Sequence, residues 1–241
     1  MRKQPVSLGS FDAIFFDAGG TLLHPYPSVG EIYAEVASRY GVHVSAADLE
    51  PSFRRVWTER DGMGSLESHS DEEKEKRWWY ETVEEVFRSF GGVPRFDEFF
   101  CELYDLFARP EAWRLYPGTL DVLKALKKQK VCVAIVSNWD SRLFRLCDEF
   151  EITPHVHFIL ASAVFGAAKP SSKIFDEALR RSGVPAGRAV HIGDSLADDI
   201  AGARAVGIHS VLIDRGGHYQ KCARERQEPH LIIRDLKELL G

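Results

Sequence analysis

Phe11-Asp12-Ala13-Ile14-Phe15-Phe16-Asp17-Ala18-Gly19-Gly20-Thr21-Leu22 is the stretch that decides the fold. An apolar run over 11–16 stops at a carboxylate, two glycines and a hydroxyl. A short continuous apolar run bounded by a glycine turn predicts a strand buried on both faces. Runs of the same kind recur at 131–136, 158–160, 189–192 and 210–213, with a weaker one at 231–233. Between them lie helical patterns at 118–128, 141–150, 172–181 and 198–205. Strands alternating with helices of this length predict βαβ units with right-handed crossovers. The expected fold class is α/β, a doubly wound parallel sheet.

The stretch 25–112 is of another kind. It has almost no strand-like run, it is charged, and its apolar residues follow a helical period. Trp57, Trp78, Trp79 and, at its edge, Trp113 are four of the five tryptophans in the chain. Four helices are expected, near 29–40, 46–59, 71–90 and 97–107, with loops at 62–65 and 91–94. The expected organisation is a helical domain, 25–112, inserted into an α/β core made of 1–24 and 113–241.

Composition bounds the function. The 241 residues carry 31 basic and 36 acidic side chains, a net charge of −5, and 44% are hydrophobic. That is an ordinary globular balance, unlike a disordered or collagen-like chain. The mild acidity argues against a nucleic-acid partner, which needs a basic face. No apolar run approaches the roughly 18 residues of a membrane span. Cys101, Cys132, Cys147 and Cys222 are widely spaced, with no C-x-x-C pair, so no zinc site is expected. Few cysteines suit a reducing compartment. Residues 1–10 are basic and polar with no apolar stretch behind them, so no signal peptide is read there and a cytoplasmic location is expected. The sequence assigns no oligomeric state.

Open α/β sheets bind ligands at the carboxyl ends of their strands, near the point where strand order reverses. Asp17, Gly19, Gly20 and Thr21 follow the first predicted strand, and Ser137 and Asn138 the second. Lys169-Pro170 lies beyond the third, and Gly193-Asp194-Ser195 with Asp198 and Asp199 follows the fourth. A carboxylate, a hydroxyl, an ammonium and a second acidic cluster at one edge suit phosphoryl transfer. A carboxylate can attack phosphorus to give an aspartyl-phosphate. Mg²⁺ on hard oxygen ligands would offset the repulsion between that carboxylate and the phosphate. A lysine, a hydroxyl and backbone N–H groups of a glycine turn would hold the remaining oxygens.

Taken singly, each residue has a plainer reading. Asp17 suits a helix cap, Ser137 and Asn138 a turn, and Asp199 the first turn of a helix. Trp57, Trp78 and Trp79 read as packing between helices, and Trp139 as a contact to substrate or insert. His155 and His157 read as incidental, His24 as a loop residue, and Lys74 and Lys76 as a solvated face. No G-x-x-x-x-G-K-[ST], H-E-x-x-H or G-x-S-x-G pattern occurs.

In order, four segments resemble the haloacid dehalogenase superfamily of phosphatases and related hydrolases. They are Phe15 through Leu22, Val136-Ser137-Asn138, Ser162 through Phe175 with Lys169-Pro170, and His191 through Gly207. The helical stretch is similar to that family's all-helical cap. Trp78-Trp79 and Ser137-Asn138-Trp139-Asp140 resemble a smaller branch, the haloacid dehalogenase-like hydrolase domain proteins.

The resemblance implies Asp17 as nucleophile and metal ligand. It implies Ser137, Asn138, Gly20 and Lys169 as phosphate holders, with Lys169 also balancing the carboxylate charge. It implies Asp194 as the second metal carboxylate, Gly19 as a ligand through its carbonyl, and Asp199 as the supporting acid with Asp198 in competition. Family phosphatases carry a second Asp two residues after the nucleophile, as general acid and base; here Gly19 stands there. Such proton transfer is worth typically 10²–10⁴-fold. The expectation is a Mg²⁺-dependent hydrolase of a small phosphorylated metabolite, slow on poor leaving groups. The alternatives are a binding or regulatory module that keeps the pocket, a dehalogenase, or a phosphonate hydrolase. Asp194 and Asp199 oppose the dehalogenase reading, and the lack of insert lysines other than Lys74 and Lys76 opposes the phosphonate hydrolase.

Overall fold

A computed structural model describes residues 8–66, 71–219 and 228–240. Residues 1–7 and Cys222, read above, lie outside them. The strands are β1 (Ala13–Phe16), β2 (Leu23–Pro25), β3 (Trp113–Leu115), β4 (Cys132–Ser137), β5 (Phe158–Ala161), β6 (Ala189–Gly193), β7 (His209–Ile213) and β8 (Leu231–Ile233). Six of them form one sheet in the order β5-β4-β1-β6-β7-β8, parallel at every pairing. The chain builds outward from β1 to β4 and β5, then returns to the other side of β1 for β6. Strand order therefore reverses at β1, and a crevice opens there at the carboxyl ends.

All four residues of β1 are buried, as a central parallel strand covered on both faces requires. Period-two alternation divides them. Ile14 and Phe16 join one apolar cluster with Val133 and Ile135; Ala13 and Phe15 join another with Ala134 and Val136.

The expected helices form. The insert holds α1 (Val29–Arg39), α2 (Ala46–Glu59), α3 (Glu72–Arg88) and α4 (Phe96–Leu106). The sheet carries α5 (Thr119–Lys128), α6 (Arg142–Glu149), α7 (Ser162–Phe165), α8 (Ser172–Ser182) and α9 (Gly202–Ala205). Ser28, Ser45 and Asp71 cap α1, α2 and α3 by accepting from the N–H groups of Glu31, Asp48 and Lys74. α3 stops two residues short of the expected end, before Gly91 and Gly92 at φ +87° and +78°. Val122, Leu123 and Leu126 of α5 pack with the Ile14–Phe16 cluster, and Ile174, Phe175 and Ala178 of α8 with the Ala13–Phe15 cluster. Leu123 is completely buried. Leu123→Ala is expected to cost about 2–5 kcal/mol, read as a lowered midpoint in thermal unfolding.

Two features differ from the sequence reading. β2 and β3 pair antiparallel, with His24 opposite Arg114 and Pro25 opposite Trp113. This ribbon sets the chain's departure into the helical insert beside its return, and strands of three residues leave no periodicity to read. The expected helix at 198–205 instead begins as a wide turn, Leu196–Ala201, in which the Ser195 carbonyl accepts from both Asp199 and Ile200 at 3.1 Å. An i→i+5 bond of this kind is a π-bulge, a form frequent at functional sites. Among the described residues, no helix is long and apolar enough to cross a membrane.

Candidate active site

Asp17, Ser137 and Asp194 stand at or just beyond the carboxyl ends of β1, β4 and β6, three adjacent strands. Asp17 Oδ1 accepts from Ser137 Oγ at 2.8 Å and from Lys169 Nζ at 2.6 Å. Lys169 reaches inward from the segment before α8, and its Nζ also donates to Asp199 Oδ1 at 2.5 Å. Asp17 Oδ2 makes no hydrogen bond among the described residues. Sequence separations of 120, 152 and 30 residues thus collapse into one bonded cluster.

One ammonium bridges two carboxylates, and a third lies beside them. Oxygens of Asp17, Asp194 and Asp199 all lie within 4.8 Å of one another. Burial opposes the charge on Lys169, but Asp17 and Asp199 outweigh it and hold Nζ above the ordinary lysine range. Burial raises Asp17, against the pull of Lys169. Asp199 is well below the usual carboxylate range: burial opposes its charge, and Lys169 and His191 overcome that. Asp194 lines the cavity and is the exposed member of the three. Burial, followed by the charges of Asp17 and Asp199, pushes it up to about 7. A carboxyl so displaced marks negative charge that the protein does not neutralise. The donors are hard oxygens, so they fit a hard divalent cation.

Asp199 is the one of the two candidate acids that joins this cluster. Its Oδ1 takes Lys169 Nζ and His191 Nε2, and its Oδ2 takes the Ser195 N–H at 3.0 Å. Asp198 instead accepts from Ser195 Oγ at 3.1 Å at the start of the wide turn.

Two groups expected to contact phosphate are engaged within the protein. The Gly20 N–H is already donated to the Leu23 carbonyl at 2.9 Å. Gly20 provides room instead: at φ +72°, a Cβ there would fall 2.2 Å from Asp194 Oδ2. The N–H groups of Ala18 and Gly19 donate to no protein acceptor among the described residues. The Asn138 side chain is also engaged, donating to the Lys169 carbonyl at 2.9 Å and accepting the Lys169 N–H at 2.7 Å. This clamp fixes where the lysine starts.

Some residues of the site carried no separate signal. His191, wholly buried on β6, holds Asp199 at 2.7 Å, and burial keeps its imidazole below the ordinary range and neutral. Arg215 donates to the Gly20 and Thr21 carbonyls and lies 3.4 Å over the Tyr116 ring, which ties down the turn after β1. Glu75 of α3, fully buried, accepts from the Ser141 backbone at 3.1 Å and joins the insert to the loop after β4. His157 accepts from the Val133 N–H at 3.1 Å, away from the cluster. Lys74 is exposed, and Lys76 lies 5.6 Å from the Tyr104 ring.

A cavity of about 520 Å³ extends from this cluster beneath the helical insert. Trp139 lines it, its ring tilted against that of Trp113 with centroids 4.9 Å apart. A Cβ placed on Gly19 would lie 3.2 Å from the Trp139 ring. The space a second aspartate would need is thus narrowed by an indole. Trp78 and Trp79 pack edge to face, and Trp57 packs against both.

Comparison with known proteins agrees with this geometry. Residues 11–207 match the model of the haloacid dehalogenase-like hydrolase family. The mouse haloacid dehalogenase-like hydrolase domain-containing protein 3 is 32% identical over 228 residues, covering 93% of this chain and 90% of that protein. The ribulose-1,5-bisphosphate 5-phosphatase of Halopiger xanaduensis is 32% identical over 236 residues, covering 91% and 94%. An L-2-haloacid dehalogenase structure superposes with a TM-score of 0.76 at 19% identity, covering 95% and 97%, a likeness of fold. A doubly wound sheet with its acidic cluster at the point of strand reversal, and a family match across most of the chain, make this protein a member of the haloacid dehalogenase-like hydrolases.

Proposed function

We propose that the protein is a Mg²⁺-dependent phosphatase of a small phosphorylated metabolite, with Asp17 as nucleophile. The observation that carries this reading is the Asp17 carboxylate. Ser137 and Lys169 hold its Oδ1, leaving Oδ2 for attack, beside Asp194, which has no ion pair among the described residues. Similarity to a phosphatase over 91% of the chain adds support. In this reading residues 25–112 form a cap domain over a core of 1–24 and 113–241.

Asp17 Oδ2 attacks phosphorus, and the bond from phosphorus to the ester oxygen breaks as the new one forms. That oxygen takes its proton from solvent, because Gly19 has none to give. Water then attacks the same phosphorus, the aspartyl-phosphate bond breaks, inorganic phosphate leaves, and the carboxylate is restored. The free N–H groups of Ala18 and Gly19 and the Lys169 ammonium stabilise the charge on the phosphoryl oxygens. Asp17 and Asp194, with the Gly19 carbonyl, would hold Mg²⁺, which supplies charge neutralisation when bound. Asp199 holds Lys169 and supports the cluster. The cap shuts out solvent.

Release of inorganic phosphate from para-nitrophenyl phosphate with Mg²⁺ tests the reading; no release there or across a broad panel of esters would overturn it. A second reading, a binding module with little turnover, is favoured by Gly19 and the indole facing it. Thermal shift gives a measurement that needs no turnover. Asp194, near 7 without metal, must lose its proton to bind a cation. Without metal, the folded state holds more protons than the unfolded one from the ordinary aspartate range up to about 7, so stability falls as pH rises through that window. Apparent Mg²⁺ affinity is therefore expected to rise with pH up to about 7 and to level off above it. A pH-independent affinity would show that no carboxyl raised to that range binds the metal.

A further inference from the structure

The helical insert gives the cavity a wall that mixes rings with the aliphatic side chains of Val29, Met63, Val83 and Leu103. Set in that wall is Tyr33 of α1. Three rings hold its side chain: Phe87 stacks on it at 5.9 Å, and Phe53 and Phe107 meet it edge to face at 5.9 and 6.0 Å. The residue is 2% exposed, and its hydroxyl makes no hydrogen bond among the described residues. The small exposure it keeps includes that oxygen, which opens on the cavity. Tyr104 of α4 differs, because its partnerless hydroxyl is closed off inside the protein.

A buried hydroxyl left without a partner carries the desolvation cost of a polar group. Buried tyrosines usually find a hydrogen-bond partner for that reason. At Tyr33 no described protein group takes the bond, so it is left to whatever enters the cavity. Burial raises the phenol above its ordinary range, and it stays a neutral donor and acceptor. The surrounding rings fix its direction in advance. Trp57 and Trp139 also line the cavity, and neither indole N–H has an acceptor among the described residues. An indole N–H can only donate. Tyr33, Trp57 and Trp139 are thus all donors, and an acceptor oxygen is what they would meet.

Resting on the phosphatase reading, we infer that Tyr33 is a specificity-determining residue whose hydroxyl hydrogen-bonds an oxygen on the alcohol part of the substrate. The substrate class is a phosphate monoester whose carbon skeleton carries an acceptor oxygen beyond the ester group. The aliphatic side chains and rings of the wall pack the skeleton itself.

Tyr33→Phe removes the oxygen and keeps the ring. Initial rates with Mg²⁺ are compared in wild type and variant on two pairs of esters, each with and without the extra oxygen. One pair is para-hydroxyphenethyl and phenethyl phosphate. The other is an aldohexose phosphorylated on its primary hydroxyl, set against cyclohexylmethyl phosphate. In at least one pair, the kcat/KM of the oxygen-bearing ester relative to its partner should fall about tenfold in the variant, the value of one hydrogen bond. A ratio of this kind cancels effects that act on both esters alike. Ratios unchanged in both pairs overturn the inference and leave the phosphatase reading intact. No phosphate from any ester, para-nitrophenyl phosphate included, overturns the phosphatase reading and this inference with it. A thermal melt needs no turnover: Tyr33→Phe should keep or raise the midpoint, because the lost hydroxyl has no partner in the fold. A lowered midpoint would show that the hydroxyl serves the fold, and overturns the inference.

Discussion

Asp17→Asn is expected to abolish phosphate release, by on the order of 10⁴-fold or more, as loss of a nucleophile does in enzymes that use one. The amide is close in size to the carboxylate, and its oxygen still accepts from Ser137 and Lys169, so the local bonds at 2.8 and 2.6 Å have counterparts. What is lost is the charged oxygen that attacks. The substitution also relieves crowding, since Asp17 is one of three carboxylates with oxygens within 4.8 Å of one another, and Lys169 pairs with only two of them. The folded protein should therefore keep its thermal midpoint or gain, while turnover disappears. Steady-state kinetics beside a thermal melt separate the two effects. Retained turnover would remove Asp17 from the chemistry, and joint loss of turnover and fold would give it a structural role.

Gly19→Asp tests the vacancy that most separates this chain from family phosphatases. Gly19 does not have the left-handed backbone of Gly20, so an aspartate is not strained there by its own φ. The obstacle is Trp139, 3.2 Å from the new Cβ and braced by Trp113. The single variant is expected to gain little because its carboxyl must pass an indole. Gly19→Asp combined with Trp139→Ala clears that path. The Trp139 backbone stays in place, since its N–H donates to Ser162 Oγ and its carbonyl accepts from Ala163, both at 3.1 Å. The double variant is expected to raise kcat on unactivated esters by about 10²–10⁴-fold over Trp139→Ala alone, the range for a positioned general acid. Equal rates would show that proton transfer does not limit turnover. An inactive wild type with an active double variant would favour the binding module.

What could be read from the chain, and what could not, follows from the range of the forces involved. Buried parallel strands need continuous apolar runs, so the runs holding Ile14, Val133 and Val190 revealed the sheet, and the glycine turn after Phe16 revealed its functional edge. Asp17, Ser137, Lys169 and Asp194 were legible because strand ends meet where strand order reverses. The β2–β3 ribbon was not, because three residues carry no period. Neither were the internal hydrogen bonds of Gly20 and Asn138: a backbone N–H or an amide looks available in sequence until its partner, Leu23 or Lys169, is placed. His191 reads as one more residue of an apolar strand until Asp199 comes to 2.7 Å from its ring.

Local pattern by itself therefore determined the α/β class, the helical insert and the residue types at the sheet's edge. Tertiary structure decided which of those residues touch. It chose Asp199 over Asp198, spent the Asn138 amide on Lys169, and set Trp139 against Gly19. It also lined the cavity with rings contributed by the insert and the core. Such choices depend on separations of 30 to 152 residues closing to hydrogen-bond distance, and only packing of the whole chain brings that about.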